Sequence, residues 1–481
     1  MTPYPFQTEG AAQLAKNANY ILAFEMGLGK SLTSIMAADE LRATNILILC
    51  MSVGKPHWRR EISRWQQIFR SVGVMHGFSQ SAPPTDVVIC DYNIASRPDS
   101  IAFKSLLRRR WNVLILDEGH ALKTVTSKRT KAVYGPGALR LKGLATQAER
   151  VWVLSGTPAV NHAGDLYPHL RALAPNTILN GHSQPMTESQ FVEAFCMYRD
   201  TPFGRQITGS KNIDALRSRI EGVMLRKRKR DVLQDLPPLT FDTVMVNPND
   251  AKMDPALLAN LIDADKAARE HLAFTTAVLE DADTDIDTAV AMLSMLAKDQ
   301  HLATQRRAAG LVKAHIAVEM VRAELEADVN YKIILFAWHH DTIDVLVKGL
   351  SGFGTVRVDG RDNDATKESA VRAFQTNPHV RVFVGQILSA GTSIDLTAAS
   401  NELFVEVDWV PSNNVQAACR AHRIGQKDGV LARFLALEGS VDQHLMSVVA
   451  RKTKQLAHLI DNEKPIGGAT EDGTFPEIVE T

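Results

Sequence analysis

Two series of short, uninterrupted apolar runs limit what this chain can fold into. The first reads "ILILCM" from residue 46, "DVVIC" from 86, "NVLILD" from 112 and "VWVLS" from 151. Branched runs without polar alternation are the mark of strands buried on both faces, and such strands belong to parallel sheets with helical crossovers. The second series starts after residue 330 with "KIILFA", "TVRV", "VRVFV", "ELFVEV" and "LARFLA", separated by helical patterns such as 364–376. The expected fold class is α/β, with two parallel-sheet units in tandem. Residues 251 to about 328 show no strand signal and are rich in Ala, Leu, Glu and Asp, as a helical insert would be. The tail "DNEKPIGGATEDGTFPEIVET" is Gly-, Pro- and acid-rich and is expected to be loose. The expected domains are therefore 1–240, a linker and insert over 241–328, a second unit over 329–460, and a tail over 461–481.

With 481 residues, 45% apolar and 22% charged, the composition is ordinary for a globular chain of roughly two to four domains. No run approaches the ~18 apolar residues of a membrane span, and the opening "MTPYPFQTEG" lacks both the basic and the apolar region of an export signal. A soluble, unexported protein is expected, cytoplasmic or nucleoid-associated, or nuclear in a eukaryote. Cys50, Cys90, Cys196 and Cys419 stand far apart with no CxxC pair, which excludes a zinc or disulfide framework. The net charge of zero argues against a nucleic-acid binder, but the charges are segregated. Residues 101–150 hold eleven Lys/Arg against three Asp/Glu, and 216–231 hold seven against two. Residues 250–287 reverse this with three against ten, and 461–481 with one against six. Basic and acidic faces are one reading of these runs; solvated helix surfaces are the other.

"NYILAFEMGLGKSLTSIMAADEL" reads as a strand, a turn holding Gly27 and Gly29, and a helix opening at Lys30-Ser31. That is the context of a phosphate loop: backbone N–H groups and a helix N-terminus face the anion, glycines admit close approach, and lysine adds positive charge. Phe24 stands where the first glycine of GxxxxGK[ST] is usual, so a glycine-spaced structural turn is the alternative. A second apolar strand, in "VLILDEGHALK", ends in Asp117-Glu118. After a phosphate loop, such a pair suits two tasks, with Asp117 holding Mg²⁺ through its water shell and Glu118 polarising an attacking water. Turn acids are the plainer reading. In "NVQAACRAHRIGQ", Arg420 and Arg423 are spaced to project from one face of a helix and could neutralise a γ-phosphate; an ordinary surface pair is the alternative.

Together these segments resemble the Swi/Snf-type DNA-dependent ATPases of the second helicase superfamily, over roughly residues 4–455. "EMGLGKS" is similar to that family's phosphate loop, whose first position is normally not glycine, although Phe24 replaces the usual acid. "YPFQTEGA" resembles its adenine-reading segment, with Gln7 at the glutamine position, and "ILDEGHALK" its DEAH box. "LSGTPAVNHAGDLYPHL" resembles its coupling motif through Ser155, Gly156, Thr157, Pro158 and Asn161. "RAHRIGQ" is its most specific signature, and "FVEVDWVPSNNVQAACRAHRIGQ" is especially similar to the HARP-type annealing-helicase branch. "AGTSIDL" departs from a glycine-rich GGLGINL, with Ser393 for glycine and Asp395 for asparagine.

The resemblance implies two RecA-like parallel-sheet lobes in tandem with a helical insert between them. It implies ATP and Mg²⁺ as cofactors, with Gln7, Gly27, Gly29, Lys30 and Ser31 binding nucleotide, and Ser31 and Asp117 serving the metal. Lys30, Asp117, Glu118, Arg420 and Arg423 are the implied catalytic set. It further implies a translocase on double-stranded or branched DNA, held through its phosphates. Ser52, Lys55, Tyr92, Asn161 and Trp409 are the implied DNA contacts. A monomer is expected, with targeting left to the insert, the tail or a protein partner, since only six residues precede Gln7. Two other functions stay open at this point: a strand-separating or strand-annealing helicase at forks, and an ATP-gated scaffold that clamps DNA for a partner.

Three signals point elsewhere and are declined. "EDADTDIDT" has Ile286 and Met292 where a calcium loop needs glycine and glutamate, so it reads as a solvated turn. His339-His340 has no carboxylate or cysteine at ligand spacing and reads as a strand end followed by a helix start. Met292, Leu293, Met295 and Leu296 read as helix packing within the insert.

Overall fold

The computed structural model describes residues 2–253 and 300–438, apart from 157, 159–161, 202–203, 234 and 391–393, together with 440, 443, 446, 449–450 and 453. The expectations for residues 254–299 and for the tail lie outside the described residues, as does Ser393.

The chain divides into two compact units, the first running to Val232 and the second starting at Leu233. The first is built on seven strands: β1 (Asn19–Phe24), β2 (Ile46–Cys50), β3 (Val72–Val74), β4 (Val87–Asp91), β5 (Trp111–Asp117), β6 (Ala148–Leu154) and β9 (Met224–Lys227). Their order is β3-β4-β2-β5-β6-β1-β9, and every pairing is parallel. An antiparallel hairpin, β7 (Cys196–Thr201) and β8 (Gly204–Ser210), stands apart from this sheet. The central strands β2 and β4 are buried throughout, as unbroken apolar runs require. Each such Leu, Ile or Val contributes ~1.5–3 kcal/mol when fully buried.

The second unit holds six parallel strands in the order β10-β15-β14-β11-β13-β12. These are β10 (Leu239–Val246), β11 (Ile333–Ala337), β12 (Thr355–Val358), β13 (Val382–Gln386), β14 (Asn401–Phe404) and β15 (Val430–Leu437). The described end of the expected insert is the helix Gln300–Ala327, whose Val312, Ile316, Val321 and Leu325 pack with Leu335, Val384 and Leu403 of the sheet. It is an integral layer of the second unit. The strand β10 runs across the start of the expected linker over 241–328 and pairs with β15 along eight residues, from Leu239↔Val430 to Val246↔Leu437.

Within the two parallel sheets, the strands that composition does not reveal, β3, β9 and β10, are all sheet edges. Edge strands keep one side toward solvent or a covering loop, so polar residues interrupt the apolar run in β9 and β10, while β3, with three residues, is too short to make one. Among the described residues no helix is long and apolar enough to cross a membrane.

One residue in the second core conflicts with its surroundings. Glu402 lies on the inner strand β14, opposite Ile334 and Ala432, fully buried and with neither carboxyl oxygen hydrogen-bonded among the described residues. Burial pushes its carboxyl well above the usual range, so the group is held as the neutral acid. Since the folded state then keeps a proton that the unfolded state releases, stability falls as pH rises above the ordinary glutamate value. Replacing Glu402 with Leu is expected to raise unfolding free energy at neutral pH by about 1–3 kcal/mol and to flatten that pH dependence, read by chemical denaturation at pH 5 and pH 8.

Candidate active site

The loop after β1 folds as its glycines dictate. Gly27 and Gly29 have φ of 85° and 79°, and Gly29 caps the helix α2 (Lys30–Glu40) in the left-handed region. A β-carbon on Gly29 would come within 2.4 Å of Gln7 Nε2, so the glycine is needed for space as well as for φ. Gln7, in α1 (Pro5–Lys16), is buried and bridges two segments: its Nε2 donates to Leu28 O at 3.0 Å, and its Oε1 accepts from Tyr4 N at 3.0 Å. Phe24 is the last residue of β1 and belongs to the core. Its ring packs edge-on against Phe6 with centroids 5.6 Å apart, beneath Gly10 of α1. Its carbonyl accepts from Lys30 Nζ at 3.1 Å.

Three adjacent strands bring the other candidates to this loop. Leu154 of β6 stands opposite Leu22 of β1 on one side and Asp117 of β5 on the other, so β5 and β6 end together and β1 ends two residues beyond them, at the same edge of the sheet. The loops that follow them carry Lys30-Ser31, Ser155-Gly156 and Asp117-Glu118 to one end of the sheet, where open α/β sheets bind ligands. A β-carbon on Gly156 would lie 3.5 Å from Lys30 Nζ.

Asp117 is held from several directions. Trp58 Nε1, from the helix α3 (Lys55–Trp65), donates to its Oδ2 at 2.8 Å, and the Glu118 N–H donates to its Oδ1 at 3.0 Å. Tyr92 OH donates to its carbonyl at 2.8 Å. Burial and then the neighbouring Glu118 push the Asp117 carboxyl up to about 6, against the Trp58 hydrogen bond and the Lys30 charge. Glu118 has a left-handed backbone with φ of 47°, an unusual conformation for a non-glycine residue, and its Oε2 is 3.3 Å from His120 Nδ1. Ser31 Oγ lies 3.3 Å from His57 Nε2.

Several residues around this cluster gave no signal in the sequence. Glu25 is buried in the loop and accepts from Lys229 N at 2.7 Å, with Lys229 Nζ 3.8 Å from its other oxygen. Arg226 donates to Gly156 O at 2.6 Å and to Ala23 O at 3.2 Å, and Lys227 pairs with Glu9 at 2.8 Å. Of the seven basic residues in 216–231, Lys229 thus meets the phosphate loop, Arg226 meets the end of β1 and the loop after β6, and Lys227 meets α1. A basic run inside an edge strand, read with the loop motif in mind, is the one signal that could have suggested this.

Three of the implied DNA contacts, Lys55, Tyr92 and Trp409, are buried. Lys55 is buried, with Nζ 2.9 Å from Asp91 Oδ2 and 3.0 Å from Met75 O. Tyr92 is buried against Asp117. Trp409 is buried in the second unit, where the Arg306 guanidinium lies 5.1 Å from its ring centre and 4.9 Å from that of Trp338. Ser52 alone among the described candidates is exposed, and Asn161 and Thr157 lie outside the described residues.

In the second unit the helix Pro411–Ala418 ends before either arginine, so Arg420 and Arg423 do not share a helical face as their spacing suggested. The chain turns instead, through Arg420 N→Ala417 O at 2.9 Å and Gln426 N→Arg423 O at 3.0 Å. The physical cause is Gln426, whose Nε2 donates to Ala399 O at 2.9 Å and Ala421 O at 3.3 Å while its Oε1 accepts from the N–H groups of Lys427 and Asp428. His422 adds an anchor on Pro237 O at 2.8 Å. Arg423 pairs with Asp395 and donates to Ile394 O at 3.1 Å. His339 caps the helix His340–Gly349 and pairs with buried Glu406 at 2.6 Å, which agrees with the strand-end, helix-start reading.

The turn Gly119–Leu122 after the acid pair is braced from below. A β-carbon on Gly119 would meet Val153 Cγ1 at 2.3 Å, so only glycine fits there. Its carbonyl lies 3.1 Å from His169 Nε2, and Tyr134 OH lies 2.8 Å from His169 Nδ1. The Tyr134 hydroxyl donating to Nδ1 and Nε2–H donating to the carbonyl satisfy all three groups with a neutral ring, and burial lowers the His169 value to about 4. Because the unfolded chain takes up a proton near pH 6.5 and the folded chain does not, stability falls as pH drops from 6.5 toward 4. The loss is on the order of 3 kcal/mol at full extent. Replacing His169 with Gln is expected to remove this acid limb from a pH series of denaturation midpoints, while lowering stability at neutral pH.

Residues 7–256 match the SNF2-related domain and residues 316–425 the Helicase conserved C-terminal domain. The SWI/SNF-related matrix-associated actin-dependent regulator of chromatin subfamily A-like protein 1 homolog of Caenorhabditis elegans is 28% identical, over 95% of this chain and 61% of that protein. The mouse DNA annealing helicase and endonuclease ZRANB3 is 25% identical over 97% of this chain and 42% of its own length. The chain thus spans about half the length of such relatives. The Sulfolobus solfataricus SWI2/SNF2 ATPase core in complex with dsDNA is 20% identical, with a TM-score of 0.41, over 96% of this chain and 95% of that one. Because the first match alone takes in more than half of the 481 residues, the chain belongs to the SNF2-related domain family.

Proposed function

We propose that this chain is a DNA-stimulated ATPase that moves along double-stranded DNA and remodels protein–DNA complexes or branched DNA. The observation that carries the reading is the alignment of β1, β6 and β5, which sets a glycine-capped helix N-terminus with its lysine beside an ionisable Asp-Glu pair. Lys30 and the N–H groups at the start of α2 suit the phosphates of ATP. Ser31 and Asp117 suit Mg²⁺. Among the described residues no three His, Cys, Asp or Glu side chains gather into a metal cage, and Mg²⁺ bound mainly through phosphates and water needs none. The bound cation would neutralise charge on the transferring phosphoryl group. Glu118 orients the attacking water, and Arg420 and Arg423 of the second unit supply positive charge to the γ-phosphate.

Binding through DNA phosphates supports a motor indifferent to sequence and sensitive to salt. The similarity to the relative named as a DNA annealing helicase favours one second reading, in which the same motor rejoins strands at forks.

Lys30→Ala is expected to lower ATP turnover by ~10²-fold or more. Duplex DNA is expected to stimulate the unaltered chain more than single strands do, and less so as salt is raised, in steady-state ATPase assays. Equal stimulation by RNA would remove the DNA-motor reading.

A further inference from the structure

The mechanism above gives no part to the first turn of α3, yet that turn touches both candidate magnesium ligands. His57 Nε2 lies 3.3 Å from Ser31 Oγ, and the next residue, Trp58, donates Nε1–H to Asp117 Oδ2 at 2.8 Å. Consecutive helical residues point about 100° apart, so one helix start lodged between two elements can grip both. The helix packs on α2, from which Ser31 projects, while Trp58 is fully buried and reaches the end of β5. Lys55, one turn earlier, is pinned on Asp91 and Met75 O, so the start of α3 is anchored to the sheet.

We propose that His57 and Trp58 are positioning residues that hold the hydroxyl of Ser31 and the carboxylate of Asp117 in one frame for Mg²⁺. Indole is a donor only, so Trp58 can engage only an acceptor and favours the ionised carboxylate in one orientation. With the Glu118 N–H on the other oxygen, both Asp117 oxygens have a fixed direction. Imidazole accepting the Ser31 proton would leave the hydroxyl lone pairs to a cation. Groups of this kind, behind the ligands themselves, govern how tightly a metal is held.

The inference rests on the ATP-site reading, and the test separates the two. ADP affinity of the full chain is measured with and without Mg²⁺, and the Mg²⁺ concentration giving half of the enhancement is read. In His57→Ala and in Trp58→Phe, Mg²⁺-free ADP affinity is expected to stay within about twofold, while half-saturating Mg²⁺ rises ~10-fold or more. His57→Gln, whose amide can still meet the Ser31 hydroxyl, is expected to recover most of that loss. Adding Mg²⁺ to the ADP complex should also change tryptophan emission in the unaltered chain and not in Trp58→Phe. Unchanged half-saturation in the variants, with unchanged melting temperatures, overturns the proposal. If Trp58→Phe does not fold, the half-buried His57 decides the matter alone. An unaltered chain whose ADP affinity ignores Mg²⁺ removes the ATP-site reading itself, and this inference with it.

Discussion

The parallel register of β5, β6 and β1 is the constraint on which the candidate site depends. With Leu154 opposite both Leu22 and Asp117, β5 and β6 end level and β1 runs two residues further to Phe24, so each hands a short loop to the same edge of the sheet. In a period-two element a slip of one residue would send Asp117 into the wrong layer. The register is held by side chains packed on both faces of the strands, so the hydrophobic core and the placement of the carboxylates are one problem. Gly119 shows the coupling directly, since the methyl of Val153 occupies the space its β-carbon would need.

Around that edge the polar groups hold one another. Glu25 takes the Lys229 backbone, Arg226 takes the carbonyls of Ala23 and Gly156, and Gln7 ties the start of α1 to the loop at Leu28. A buried polar group without such partners is costly, and these arrangements satisfy donors and acceptors that the loop would otherwise leave exposed to the core. Glu402 in the second unit is the contrasting case, a carboxyl with no hydrogen-bond partner among the described residues. Both units have parallel sheets, and both use buried charge to hold local structure, Glu25 at the loop of the first and Glu406 against His339 in the second. The second also carries Glu402, whose carboxyl its core keeps neutral.

The sequence by itself determined the α/β class, the central strands, the phosphate loop and the acid pair. Each of these rests on local pattern: an apolar run, a glycine that must take positive φ, a carboxylate after a strand. Tertiary structure alone decided most of what lay at the edges, β12 excepted, and what met across long separations. β9 and β10 are edge strands with mixed composition, so nothing local marks them. Lys55 and Tyr92 look like surface contacts until Asp91 and Asp117 arrive from other strands to claim them. Arg420 and Arg423 keep helical spacing, but Gln426 gathers backbone groups from distant positions and turns the chain. The grip of His57 and Trp58 is of the same kind, because their partners lie 26 and 59 residues away. Periodicity reports what one segment buries; which polar atom meets which is set only when the segments pack.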